Sequence, residues 1–141
     1  MNVSEKVNFI SNWIKDYVEK MPSKAQSLVI GISGGIDSSV SSTLSAMTGL
    51  KTIVLSMPIK QKNSQHDLSI KHQEWLIKNF KNVEAHLVNL DDLFKTFEHS
   101  LSKFNDEHGM ANSRARLRMA TLYQVAAANK GIVVGLSLIH I

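Results

Sequence analysis

The sequence predicts an α/β fold, a parallel sheet with helices on both faces, and three observations predict it. Short apolar runs alternate along the chain with stretches whose apolar residues recur at helical spacing. The composition, 43% hydrophobic and 20% charged over 141 residues, is that of one soluble globular domain with enough chain for a real core. A pair of glycines follows the first apolar run, and in parallel α/β sheets ligands bind outside the carboxyl ends of the strands.

Each element can be justified in order. Val3, Val7, Ile10, Ile14, Tyr17 and Val18 recur at helical spacing, and Pro22 stops that helix. Residues 28–32 form a buried strand rich in β-branched residues. From 37 to 48 the small residues Ser, Ala and Thr make a compact helix with Gly49 as its stop. Residues 52–57 form the second strand, ended by Pro58. Leu68, His72, Trp75, Leu76 and Phe80 mark the third helix, and Val83, Ala85 and Leu87 alternate as a third strand. Leu90, Leu93, Phe94, Phe97, Leu101 and Phe104 form one amphipathic stripe, with Asp91 and Asp92 at its electropositive start. A polar loop at 105–109 precedes a last helix at about 112–129, and 132–135 begin a fourth strand. Trp13 and Trp75, both on apolar stripes, are expected in the core.

Composition also excludes several functions. There are no cysteines, which removes disulfides, thiolate metal sites and a cysteine nucleophile, and fits a reducing cytoplasm. No stretch reaches the roughly 18 consecutive apolar residues of a membrane span, and the first residues, MNVSEKVNF, do not form a secretory signal. The six histidines show no paired metal spacing, and His140 reads as a chain-end residue. The net charge of +4 suits a phosphate-bearing ligand, but the lysines are scattered, so no nucleic-acid surface is expected.

The chemistry concentrates in Gly31, Ile32, Ser33, Gly34, Gly35, Ile36, Asp37 and Ser38, between the first strand and the second helix. Adjacent glycines let the backbone turn tightly and bring N–H groups against an anion. Serine hydroxyls and the positive end of the following helix address the same spot. A carboxylate beside a phosphate site is repulsive unless a cation lies between, so Asp37 implies Mg²⁺. The bland alternative is a Ser/Gly turn with Asp37 as a helix cap. The loop is neither a Walker A sequence, which needs a Gly-Lys-Ser/Thr, nor Gly-x-Gly-x-x-Gly. Lys60 and Lys62, after the second strand, read as a solvated loop.

The second motif is Asn112-Ser113-Arg114-Ala115-Arg116-Leu117-Arg118-Met119, with Tyr123 beyond it. At about 100° per residue, Asn112, Arg116 and Tyr123 share one helix face, while Arg114 and Arg118 fall nearly opposite. That first face offers an amide, a guanidinium and a phenol together. By itself, an Arg-rich helix reads as a solvated face.

The loop Ser33-Gly34-Gly35-Ile36-Asp37-Ser38 resembles that of the N-type ATP pyrophosphatases, and Asn112-x-x-Ala115-Arg116-x-Arg118-Met119 resembles a segment of the NAD synthetases within that superfamily. The resemblance, which runs from about 10 to 135, implies a Rossmann-like three-layer α/β/α fold of the adenine nucleotide α-hydrolase kind. It implies ATP as a substrate in the 31–38 loop, Mg²⁺ on Asp37, and Met57 bordering the adenine. It implies deamido-NAD on Asn112, Arg116 and Tyr123, with Tyr17 nearby. The implied reaction joins deamido-NAD and ammonia into NAD⁺ through an adenylate, releasing AMP and pyrophosphate, in a homodimer. No glutaminase cysteine is present, so free ammonia would be the nitrogen source.

After Gly135 the chain departs from the family pattern. Residues 1–135 are expected to be an incomplete ATP-pyrophosphatase domain and 136–141 a tail outside it, with Ser137 one position out of register for the family threonine. The 141-residue chain is therefore expected to have little synthetase activity alone. Two other functions stay open: another ATP pyrophosphatase, such as a tRNA-modifying one, and a non-catalytic nucleotide-binding module.

Overall fold

The computed structural model describes residues 1–60 and 63–135; Lys62, Ser137 and His140 lie outside the described residues. The elements run α1 (Val3–Glu19), β1 (Ser27–Gly31), α2 (Ile36–Ala46), β2 (Thr52–Ser56), α3 (Asn63–Asn79), β3 (Val83–Leu87), α4 (Asp91–Ser100), a 3-10 turn (Ser102–Phe104), α5 (Glu107–Ala128) and β4 (Gly131–Val133). The strands form one parallel sheet in the order β3-β2-β1-β4. Val29 of β1 lies beside Ile53 of β2 on one side and Val133 of β4 on the other. The chain thus moves outward from β1 to β3, then crosses back to add β4 on the opposite edge. The order reverses between β1 and β4, which is where a ligand crevice opens in such sheets.

Strand alternation sorts the core into two layers. Val29, Ile53 and Leu55 pack with Leu90, Phe94, Met110, Leu122 and Ala126 under α4 and α5. Ile30 and Val54 pack with Ala46 and Leu76 under α2 and α3. Close approach of α2 is possible because its inward residues Ser38, Ser42 and Ser45 are small, and each buried hydroxyl donates to a backbone carbonyl. α1 starts at a capping box: Asn2 Oδ1 accepts from the Glu5 N–H (2.8 Å) and the Glu5 carboxylate accepts from the Asn2 N–H (3.1 Å).

Three expectations need correction. The last helix begins at Glu107 rather than 112, because Asp106 caps it by accepting from the Gly109 N–H at 2.8 Å. The 105–109 run therefore contributes the cap and first turn, not a loop. The apolar stripe from 90 to 104 is not one helix; it ends at Ser100, and Phe104 sits in the following 3-10 turn. Trp13 and Trp75 are not core, being 59% and 47% exposed. α1 instead turns Ser11, which donates to the Leu44 carbonyl at 3.0 Å, and Val18 inward. That leaves Trp13 outside, stacked on Tyr17 at 5.6 Å. Trp75 stacks on His72 at 5.7 Å and meets Phe80 edge-on.

Candidate functional site

At the carboxyl end of β1 the chain leaves the sheet at Gly31 and re-enters regular structure at Ile36, so the 31–38 loop sits at the reversal of strand order. Its conformation is held by its own hydroxyls. The Ser33 N–H donates to Ser38 Oγ (3.1 Å), and the Gly35 N–H donates to Ser33 Oγ (3.2 Å). Ser39 Oγ donates to the Gly35 carbonyl at 2.9 Å. Gly35 is the N-cap of α2 and offers no side chain to the first-turn N–H groups. Those donors, at the positive end of the helix, suit an anion.

Gly34 is the residue the turn cannot do without. Its φ is +93°, and a Cβ there would run into the backbone carbonyl oxygen of Gln65. The first turn of α3 therefore lies directly on the loop. Deeper between α2 and α3, Ser42 Oγ and His72 Nε2 are hydrogen-bonded at 2.9 Å. Burial lowers the His72 pKa from its ordinary value, with a backbone hydrogen bond to Ser39 opposing it. A folded pKa below the unfolded one means the contribution to stability is complete above the ordinary histidine range and is lost as pH falls through it. We expect the chemical-denaturation midpoint to drop below about pH 6.5, and His72→Gln to make that drop shallower.

The loop opens into a cavity of about 810 Å³. Gly31, Ile32, Ser33, Ser38 and Met57 line it, joined by Ile59, Lys60, Ser64 and Gln65 and by Ala115, Arg118, Met119 and Leu122 of α5. Of the residues expected to bind ATP, Gly34 lies under α3, and Gly35, Ile36 and Asp37 form the N-terminus of α2 beside the cavity. Asp37 is exposed in the first turn. Among the described residues no group of three or more His, Cys, Asp or Glu is arranged to hold a metal.

The residues expected to hold deamido-NAD do not gather in this cavity. Asn112, Arg116 and Tyr123 are exposed on the outer face of α5, Tyr123 by 61%. Tyr17 lines a separate pocket of about 360 Å³ with Trp13, Asp16 and Lys20. The face of α5 turned to the cavity, at 115, 118, 119 and 122, is centred about a quarter-turn away from that set.

Sequence reasoning missed Arg118, whose Nε donates to the Met57 carbonyl at 3.0 Å. The signal was there: Ala115, Arg118, Met119 and Leu122 form a helical stripe with one cation among small and apolar neighbours. Lys60 is likewise not a free loop lysine. It borders the cavity with φ +47°, its N–H donates to Asp91 Oδ1 at 2.5 Å, and its Nζ pairs with Glu98 at 2.6 Å.

Known proteins share both the sequence and this architecture. The chain is 37% identical over 140 residues to the NH(3)-dependent NAD(+) synthetase of Mesoplasma florum, covering 96% of this chain and 54% of that protein. The solved structure of NMN synthetase from Francisella tularensis superposes with a TM-score of 0.85 at 31% identity, covering 97% of this chain and 55% of the other. NH3-dependent NAD synthetase from Campylobacter jejuni, solved with a nitrate ion, superposes with a TM-score of 0.82 at 26% identity, covering 97% and 57%. The chain thus spans about half the length of the relatives it matches. Residues 6–138 match the NAD synthase family model, a span that takes in the 31–38 loop, the cavity and all of α5: the chain belongs to the NAD synthase family.

Proposed function

We propose that the 31–38 loop and its cavity bind MgATP, and that the protein serves the ammonia-dependent amidation of deamido-NAD to NAD⁺. The observation that carries this reading is the glycine loop opening, at the reversal of strand order, into a cavity large enough for a nucleotide. In this reading the nicotinate carboxylate attacks the α-phosphorus of ATP. Pyrophosphate leaves toward the loop, and the acyl adenylate carries AMP as leaving group for ammonia. The adenylate supplies its own activation, so the chain's work is positioning and charge stabilisation. Gly31, Ser33, Gly34, Gly35 and Ser38 would hold the pyrophosphate portion, and Ile32, Ile36 and Met57 would border the nucleotide.

Mg²⁺ fits Asp37 as an ion shared with the nucleotide, because Mg²⁺ is commonly held by one or two carboxylates plus substrate phosphates and water. It would supply charge neutralisation there. In this reading deamido-NAD binds the outward set Asn112, Arg116 and Tyr123, with Tyr17 apart from it, at the edge of the cavity against a second copy of the chain, in a cytoplasmic homodimer. Among the described residues no helix is long and apolar enough to cross a membrane.

Thermal denaturation with added ligands tests the proposal. MgATP and deamido-NAD are each expected to raise Tm, as any ligand bound only by the native state must, and transfer RNA is not. The mononucleotide counterpart of deamido-NAD belongs in the same experiment because of the likeness to the Francisella protein. Protection by it rather than by the dinucleotide would reassign the acceptor, and no protection by MgATP would sink the reading.

A further inference from the structure

We infer that Arg118 is the cation that binds a nucleotide phosphate in this cavity, held in position by the carbonyl of Met57. The inference rests on the nucleotide reading above and names a residue that reading does not use.

The loop contains no lysine, so a bound phosphate chain must find positive charge elsewhere. Among the described residues, three other cations lie close enough in sequence or space to be considered, and each is already engaged or turned away. Lys60 is paired with Glu98 at 2.6 Å. The Arg114 guanidinium lies over the Phe94 ring, 5.5 Å from its centroid. Arg116 is exposed on the outer face of α5. Arg118 borders the cavity, is half-buried, and has no carboxylate partner among the described residues.

A half-buried cation without a counter-charge is costly, and an arriving anion would offset that cost. In agreement, burial and the neighbouring Arg114 both lower the Arg118 pKa. The geometry suits the task. The bond from Nε to Met57 uses one of the five guanidinium N–H groups and fixes the plane of the group. The four N–H groups on the two Nη atoms remain for a bidentate contact with phosphate oxygens. The anchor is also next to the loop. A Cβ on Gly31 would lie 3.0 Å from Met57 Cε and 3.7 Å from Leu122 Cδ1, one helical turn from Arg118.

Titration of the 141-residue chain with MgATP and, separately, with adenosine tests the inference. Arg118→Gln keeps an N–H for the Met57 carbonyl but removes the charge. It is expected to weaken MgATP binding by about 10–100-fold and leave adenosine binding unchanged. Arg118→Lys, which keeps the charge and loses the Nε bond, is expected to fall between the two, again with adenosine unaffected. Undiminished MgATP affinity in the glutamine variant would overturn the inference, as would equal losses for MgATP and adenosine in both variants, the mark of a structural role. Failure of the unsubstituted chain to bind MgATP would instead remove the nucleotide reading itself.

Discussion

Gly34→Ala is expected to abolish nucleotide binding and to lower the stability of the whole domain. Two costs add at this position. A non-glycine residue held at φ +93° costs about 1–3 kcal/mol. Driving its Cβ into the Gln65 carbonyl costs about 1–3 kcal/mol more, because that oxygen belongs to the backbone of α3 and cannot swing aside as a side chain would. Against a typical domain stability of about 5–15 kcal/mol the variant stays folded only by shifting the loop or α3, and either shift would spoil the proposed anion site. We expect Tm to fall by about 10 °C and MgATP protection to vanish. Gly49 provides the control. It has φ +78° with nothing within 4 Å of an added Cβ, so Gly49→Ala should show the backbone cost alone and retain MgATP protection. Equal losses for the two variants would mean that packing of α3 on the loop contributes nothing.

Asp37→Ala is expected to do the reverse, sparing the fold and removing the magnesium response. The side chain is exposed and has no hydrogen bond or ion pair among the described residues, so its folding contribution is confined to the helix dipole, below about 1 kcal/mol. In the proposed complex it faces a cation shared with the phosphates, an interaction of the charge-assisted class worth about 10–100-fold in affinity. Titration with ATP in the presence and absence of Mg²⁺ should show a magnesium-dependent gain for the native chain and none for the variant. A variant that kept the full gain would move the metal off Asp37.

How much of this was legible beforehand depended on how local the signal was. The strands could be read because runs such as 28–32 and 52–57 are buried on both faces of a parallel sheet and so are apolar throughout. The loop was legible because its glycines and serines act through backbone geometry within a few residues. Trp13 was misplaced because periodicity identifies an apolar face without saying which side packs on the rest of the molecule; Ser11, against α2, and Val18, against Ala25 and Leu28, won that contact. The start of α5 was missed because Asp106 and Gly109 look like turn residues until the cap is seen. For Arg118, the partner that defines it, Met57, lies 61 positions away, beyond the reach of any local pattern.

The pairing of Ser27 with Gly131 and the contact of α5 with β1 carry a consequence for how the protein comes into being. The two walls of the cavity are contributed by stretches some eighty positions apart, and the central strand gains its second neighbour only when the last strand docks. Such remote closures are slow, because the chain surrenders its freedom before the reward arrives. A nascent chain carrying only the glycine turn would hold half a pocket, so in the proposed complex ATP would recognise the chain only once α5 has packed against β1. Capture of the nucleotide would then report completed folding, and cellular ATP would act as a late brake on unfolding.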